Sequence, residues 1–421
     1  MSDILADLRW RGLIAQSTDE QALGQALKSG QVTFYGGFDP TAASLHVGHL
    51  VLILTMRRLQ DAGHRPLALV GGATGMIGDP RDVGERALNS AEVVTEWVQR
   101  IRGQIEPFLE FSGPAAAQMV NNLDWTKDLS AIDFLRDVGK HYRLGTMLAK
   151  DIVARRLRSD EGISFTEFSY QILQGMDFLE LLRRHNCTLQ VGGGNDQWGN
   201  LLSGVELIRK AEGVAAHALT TPLITKSDGS KMGKSEGGAI WLDPELTSPY
   251  AFYQFWLNTA DADVMRYLKV FTFRTRAEIE SLATDVQERP YARAAQQVLA
   301  QDVTTLLHGR AATEAVMTAS KALFGRADLR DLDAATLADA VAEIPSGALD
   351  LGEATILDAL VAAGLSTGRN AARRTVADGG AYLNNDKVTD PDRVLTENDL
   401  LAGNVALLRR GRRNLGAIRA G

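Results

Sequence analysis

Val32-Thr33-Phe34-Tyr35-Gly36-Gly37-Phe38-Asp39-Pro40-Thr41-Ala42-Ala43-Ser44-Leu45-His46-Val47-Gly48-His49 is the stretch around which the chain is organised. Its first four residues are β-branched or aromatic and predict a buried strand. Gly36-Gly37 lets the backbone come close to another group, and Asp39-Pro40-Thr41 turns the chain. From about His46 an apolar period through Leu50, Ile53, Leu54, Met56 and Leu59 predicts a helix that ends near Ala62-Gly63. A strand that feeds a Gly-rich turn onto a helix N-terminus makes an anion site, because unpaired N–H groups and the helix dipole face the same way. His46 and His49 share one side of the first turn, where their N–H groups can reach phosphate oxygens. Gly48 leaves space for a flat ring against the helix.

The pattern repeats outward from this unit. Pro66 to Val70 reads as a second strand, a helix covers about 90 to 111, and Gln118-Met119-Val120 is a third strand ending at Asn121-Asn122. Leu189-Gln190-Val191 and Leu219 to Thr225 follow. Residues 1 to 30 read as helical, and 130 to 184 as mostly helical. Strands alternating with helices predict an α/β fold, a doubly wound, Rossmann-like parallel sheet with ligands at the strand C-terminal ends. Gly72-Ala73-Thr74-Gly75-Met76-Ile77-Gly78 imitates a dinucleotide-binding turn. It follows the second strand rather than the first, and Pro80 disfavours helix at Asp79 where a phosphate-binding helix should be running. None of the eight tyrosines has a lysine four residues later, the pair a short-chain dehydrogenase needs. That reading is rejected.

H-x-G-H alone also describes two ordinary helix histidines over an apolar core. A second stretch decides between the two. Lys231-Met232-Gly233-Lys234-Ser235 lies in a loop rich in Gly, Ser and Lys, about 180 residues on. In this order and spacing the pair resembles the HIGH and KMSKS signatures of class I aminoacyl-tRNA synthetases. YGGFDPTAASLHVGHL, ATGMIGDP, FSYQILQGMDFL, NDQWGN and KMGKS, taken in order, resemble the bacterial tyrosyl-tRNA synthetases over nearly the whole chain.

The resemblance implies roles. A buried phenol hydroxyl needs a donor and an acceptor, which Tyr35 and Asp177 can supply. Tyr170, Gln174 and Asp79 are implied around the substrate ammonium, with Gly37 beside the amino acid. Tyr170, Gln174 and Asp177 are spaced i, i+4, i+7, which puts them on one helix face. Asp39 and Gln197 are implied around the carboxylate and α-phosphate, and Asp196 at the ribose hydroxyls. Thr41, His46, Gly48, His49, Lys231, Lys234 and Ser235 are implied around ATP. Of these His46, His49, Lys231 and Lys234 stabilise the charge that builds on the phosphates. Mg2+ is implied with ATP, and no protein-bound metal or organic cofactor. Three departures stand out. Gly192 to Asn200 is one residue longer than the family's usual run, which leaves the ribose backbone contact unassigned among its glycines. The loop after Pro80 lacks a lysine, with Arg81 or Arg86 as substitutes. Met232 replaces a more usual Phe.

The expected organisation is a catalytic domain over 1–225 with a helical insertion at about 123–165, then the lysine-loop region 226–247. An all-helical anticodon-side domain follows over 248–325, a linker over 326–352, and a small α/β RNA-binding domain over 353–421. The net charge of −7 hides an asymmetry. From Ser366 onward there are ten Arg and Lys against six Asp and Glu. A basic end on an acidic body points to localised RNA contact. Arg369, Arg373 and Arg374 on one side of a helix, with Arg409, Arg410, Arg412 and Arg413, are its candidates; a solvated charge run is the plainer alternative. One cysteine, Cys187, excludes an internal disulfide and a Cys-based zinc site. With no apolar run of membrane-spanning length and no signal-like segment in MSDILADLRWRG, the expected place is a reducing cytoplasm. The partners implied are L-tyrosine, ATP and tRNA(Tyr), in a homodimer. A tryptophan-specific relative, another HxGH nucleotidyl transferase, and a catalytically silent RNA-binding protein on the same fold are the rivals.

Overall fold

Six strands form the sheet that positions the site: β1 Gln16–Ser17, β2 Thr33–Phe38, β3 Arg65–Val70, β4 Gln118–Asn121, β5 Cys187–Gly193 and β6 His217–Thr221. The computed structural model describes residues 3–80, 88–235, 238–324, 328–411 and 414–420, and of Lys234 and Ser235 the backbone alone. Two compact units result, one of Met1–Asp243 with Asp261–Thr284, the other of Pro244–Ala260 with Asp285–Gly421.

In the first unit the sheet order is β1-β6-β5-β2-β3-β4. β2 pairs in parallel with both β3 and β5, and β1 closes one edge antiparallel to β6. From β2 the chain winds outward through β3 and β4, then returns to the other flank through β5 and β6. The crevice between the C-terminal ends of β2 and β5 is therefore the switch point of a doubly wound sheet, where ligands bind. The helix Val47–Asp61 lies against this centre. Gly36 is what lets it approach: a Cβ there would stand 2.5 Å from Met56 Sδ. Met56 and Ile53 are wholly buried, each contributing about 1.5–3 kcal/mol by burial. Ser164 caps the helix Phe165–His185, accepting from Glu167 N–H, and Asn186 ends it in the left-handed region at φ 52°.

Some expectations need correction. Residues 1–30 are two helices, Ile4–Trp10 and Glu20–Ser29, divided by β1, because Gly12 at φ 74° turns the chain out of the first. β6 stops at Thr221 rather than Thr225, since Pro222 has no N–H for a ladder. The helix Asp261–Phe271, expected among the later helices, belongs with the first unit. Arg58 Nη2 donates to Thr272 O at 2.6 Å, and Arg11 reaches Lys269 O, Thr272 O and Arg274 O at 2.9 to 3.2 Å. Two buried guanidinium groups thus cap that helix's last carbonyls.

The second unit holds the helices Pro249–Leu257, Ala294–Leu323, broken at Gly309, and Ala334–Ala342. After the hairpin strands β7 Lys234–Ser235 and β8 Gly238–Ala239 of the first unit come β9 Ser346–Leu349, β10 Ala381–Leu383, β11 Asp386–Lys387, β12 Val405–Arg410 and β13 Asn414–Ala420. The last five form a sheet in the order β11-β10-β12-β13-β9. The segment 326–352 is therefore more than a linker. It gives a helix and an edge strand, β9, whose parallel pairing with β13 no local sequence signal announces. Gly347 is needed there, because a Cβ would meet Ala362 O at 2.4 Å.

Candidate active site

A run of side-chain hydrogen bonds crosses the crevice. Tyr170 Oη donates to Asp39 Oδ2 at 2.6 Å, and Thr74 Oγ1 donates to Asp39 Oδ1 at 2.6 Å. Asn122 Nδ2 donates to Thr74 Oγ1 at 2.9 Å and to Asp177 Oδ2 at 3.0 Å. Trp125 Nε1 closes the run on Asp177 Oδ1 at 2.9 Å. The glycines of the 71–78 stretch serve this network. A Cβ at Gly71 would stand 2.1 Å from Asp39 Oδ1, and one at Gly75 2.5 Å from Pro40. Thr74–Ile77 is a single helical turn ended by Gly78 at φ 82°.

At one end of the run lies the buried Tyr35 side chain. Tyr35 is 1% exposed, its ring 5.3 Å from that of Phe178, and its hydroxyl has no hydrogen-bond partner among the described residues. A buried hydroxyl left so costs about 1–3 kcal/mol, which an arriving polar group would recover. Burial first, then the Asp177 charge, raise the Tyr35 phenol well above its ordinary value. Asp177, also 1% exposed, is pushed up to about 7 by burial against the opposing bonds from Asn122 and Trp125. Among the described residues the buried Oε1 atoms of Gln174 and Gln190 likewise have no hydrogen-bond partner.

Asp79 anchors a second cluster. Gln197 Nε2 donates to its Oδ2 at 2.8 Å and Asn200 Nδ2 to its Oδ1 at 3.2 Å, while Lys150 Nζ donates to Asn200 Oδ1 at 3.1 Å. Burial drives the Asp79 carboxyl up to about 6, and burial holds the Lys150 ammonium down at about 8.

The histidine motif differs from the expected backbone anion site. His46 is the N-cap of the helix Val47–Asp61. Its Nδ1 accepts from Gly48 N–H at 3.1 Å, and His49 Nδ1 accepts from His46 N–H at 3.1 Å. Val47 N–H goes to Ile240 O and His49 N–H to His46 O. The N–H groups of residues 46 to 49 are all engaged. With Nδ1 accepting, each neutral ring carries its proton on Nε2, so the donors offered to an anion are imidazole groups. Burial, then the neighbouring His46, hold His49 below its ordinary value. Gly48 is exposed, and a Cβ there would stand 2.8 Å from His46 Cε1, so the ring it admits is that of His46.

The lysine stretch lies alongside. Leu242 N–H donates to Leu45 O at 2.8 Å, and a Cβ at Gly233 would meet Val47 Cγ2 at 2.4 Å. Lys231 is exposed; the side chains of Lys234 and Ser235, and residues Arg81 and Arg86, lie outside the described residues. Gly37 and Thr41 are exposed at the end of β2 and just after it, and Asp196 is exposed in the turn Asn195–Gln197. Within the lengthened glycine run, Gly194 takes φ 89°, and Gly192 makes room for Leu201, 2.9 Å from its would-be Cβ. Gly193 is exposed with only Leu52 at 3.9 Å.

In the second unit Arg369 pairs with Asp358 and Arg373 with Asp392 at 3.2 Å. Arg374 is exposed. Arg409 stacks on the Tyr382 ring at 3.9 Å and Arg410 donates to Leu365 O at 2.8 Å. Arg412 and Arg413 lie outside the described residues. Asn122, Trp125, Gln190, Lys150 and Asn200 join this candidate site without having been expected there; Asn200 left a signal as the last residue of NDQWGN, and Asn122 as a polar residue straight after a strand.

Residues 27–325 match the family model for tRNA synthetases class I (W and Y), and residues 336–418 match that for the tyrosine–tRNA ligase SYY-like C-terminal domain. The tyrosine–tRNA ligase of Streptomyces griseus is 62% identical over 423 residues, covering 100% of this chain and 99% of that protein. That of Acidothermus cellulolyticus is 58% identical, with 100% of each chain covered. Among solved structures, a C-terminally truncated mitochondrial tyrosyl-tRNA synthetase of Aspergillus nidulans is similar at TM-score 0.70 and 30% identity, over 77% of this chain and 95% of that one.

Proposed function

The chain belongs to the class I tyrosyl-tRNA synthetases, and we propose how its own residues carry the ligation of tyrosine to tRNA. The reaction is that of a tyrosine–tRNA ligase. It joins the carboxylate of L-tyrosine to the α-phosphate of ATP, releases pyrophosphate, and passes the tyrosyl group to a ribose hydroxyl of the 3′-terminal adenosine of the tRNA, releasing AMP. A tryptophan-specific or silent relative is set aside, because the full-length relatives and the C-terminal family model are both of tyrosine–tRNA ligases.

The observation that carries the assignment of the pocket is the unpartnered, fully buried Tyr35 hydroxyl, with the buried Asp177 among the charges acting on it. In this reading a substrate phenol takes its place between them, while Asp79, Tyr170 and Gln174 receive the ammonium group. Asp39 and Gln197 flank the carboxylate and α-phosphate, Asp196 takes the ribose hydroxyls, and the exposed Gly193 gives the ribose its backbone contact. The Nε2–H donors of His46 and His49, with Lys231 and Lys234, meet the phosphates. Gly37 borders the amino acid; Thr41, Gly48 and Ser235 border ATP. No side chain acts as a covalent nucleophile, and positioning with electrostatics supplies the rate. Magnesium enters on the phosphates of ATP.

The C-terminal arginines are assigned to tRNA; of those described, Arg369, Arg373, Arg374 and Arg410 are exposed. A homodimer is the assembly we assign, and the exposed Ile132, Leu144 and Phe165, at 67 to 72%, are offered as residues of its interface. No described helix is long and apolar enough to cross a membrane; we place the enzyme in the cytoplasm on its single buried thiol and its role in protein synthesis. Tyrosine-dependent exchange of pyrophosphate into ATP tests the reading. Exchange driven by tryptophan instead, or by no amino acid, would overturn it.

A further inference from the structure

We propose that Asp263 is a positioning residue for adenylate formation: it fixes the lysine loop to a strut that is itself fixed to the histidine helix. The turn before Lys231 is folded back on itself, with Lys226 N–H to Ser230 O at 2.8 Å, Gly229 N–H to Lys226 O at 3.0 Å, and a bridge between Thr225 and Lys231. Such a turn, exposed from Ser227 to Lys231, has little packing of its own to set its direction. Asp263 supplies one. Its Oδ2 accepts from Ser227 N–H at 3.1 Å and from Ser227 Oγ at 3.2 Å, and its Oδ1 faces Arg266 at 3.4 Å. Arg266 also donates to Thr225 O, where Tyr267 Oη donates at 3.2 Å.

An acid in the first turn of a helix is favourable wherever it occurs, and Asp263 sits in the first turn of Asp261–Phe271. That placement alone would leave its carboxylate in water. Asp263 is instead 4% exposed and spends one oxygen on a loop 36 residues away. The far end of the same helix is held by Arg58, from the helix that begins at His46, through Thr272 O. A continuous run of covalent and hydrogen-bonded contacts therefore leads from His46 along its helix, across Arg58, along Asp261–Phe271 and out to Lys231. The length of that path is set by two rigid helices, which is what a site needs when two cation-bearing elements must meet one triphosphate.

The proposal rests on the reading of Lys231 as a phosphate-contacting group. The test is a double-mutant cycle in the full-length enzyme, measured by ATP–pyrophosphate exchange with tyrosine binding by equilibrium dialysis. Asp263→Ala should lower kcat/KM for ATP about 10-fold and leave the tyrosine Kd unchanged, while in a Lys231→Ala background it should add less than about 2-fold. Asp263→Asn keeps an acceptor for the Ser227 N–H and should recover most of the loss. Ser227→Ala, at an exposed site, should lose about 2- to 3-fold by the same route with the thermal midpoint unchanged. Losses equal with and without Lys231, or a tyrosine Kd that rises in parallel, would overturn the positioning role. An impaired Lys231→Ala beside an unimpaired Asp263→Ala would do so as well. A Lys231→Ala enzyme exchanging at the wild-type rate would overturn the reading of the loop, and the proposal with it.

Discussion

Tyr170, Asp39, Thr74, Asn122, Asp177 and Trp125 are joined side chain to side chain, and most are buried. His46, His49 and Lys231 are held differently: backbone bonds and capping fix the segments, with the two imidazoles part-buried and Lys231 exposed. The first arrangement is rigid and selective, because every polar atom displaced from it must find another partner in a dry place. The second is compliant and general, suited to a triphosphate that brings its own charge. Selectivity and rate should therefore be separable by mutation. On the proposed assignment, changes in the pocket should alter which amino acid is taken, and changes on the histidine and lysine side how fast it is activated.

The largest separation is expected from Lys234→Ala. Loss of one charge-stabilising donor costs about 3 kcal/mol in the transition state, or roughly 10²-fold in kcat for pyrophosphate exchange. Tyrosine affinity by equilibrium dialysis should hold. A comparable loss in tyrosine affinity would break the division between the two regions.

Next in size is a pH effect confined to the pocket. Burial raises the Asp79 carboxyl to about 6, and the ammonium group needs that carboxylate ionised. As pH falls through 6, Asp79 takes up a proton and tyrosine binding weakens, approaching about 10-fold at pH 5. KM for tyrosine should rise on the acid side while kcat at saturating tyrosine holds. Asp79→Asn should bind tyrosine weakly at every pH and remove the step near 6, leaving that of Asp177, whose carboxyl burial raises to about 7; a step near 6 that persists would remove Asp79 from the ammonium site.

The strand–turn–helix unit and the motif order were legible in sequence because each is a local event: a β-branched run, a glycine pair, an apolar period. The helix face of Tyr170, Gln174 and Asp177 was legible for the same reason. The pocket's supports were not. Asn122 and Trp125 reach Asp177 from 55 and 52 residues away, and Lys150 reaches Asn200 across 50. Such residues look like ordinary loop and helix positions until the sheet brings them together. The histidine tautomers were hidden too, since only the cap geometry shows that Nδ1 is engaged. β9 escaped because Ser346-Gly347-Ala348-Leu349 has neither branching nor aromatic character, and its partner β13 lies about 70 residues on.

Smaller effects belong to the second unit. Ending the chain before β9, at about residue 343, should leave pyrophosphate exchange near normal and lower tRNA charging. It should also flatten the salt dependence of tRNA affinity by roughly 0.7 to 0.9 log units for each phosphate contact removed. An end at Gly352 would leave β9 without its sheet. Smallest of all is the difference between single arginines. Arg374→Ala should reduce the salt slope by about one contact and Arg369→Ala by less, because Arg369 is already engaged by Asp358. Filter binding at several salt concentrations reads both. Equal slopes for the two would make the ion pair irrelevant to tRNA binding.

The central claim is that Tyr35 and Asp177 read the substrate's phenol while the histidine and lysine side acts on ATP alone. It is tested most directly by kcat/KM for pyrophosphate exchange with tyrosine and with phenylalanine, in wild type and Asp177→Ala. Removing the buried acceptor strips a hydrogen bond from tyrosine only, so the tyrosine-to-phenylalanine ratio should collapse by about 10-fold or more, with ATP KM unchanged. A ratio that stays at its wild-type value would contradict the account.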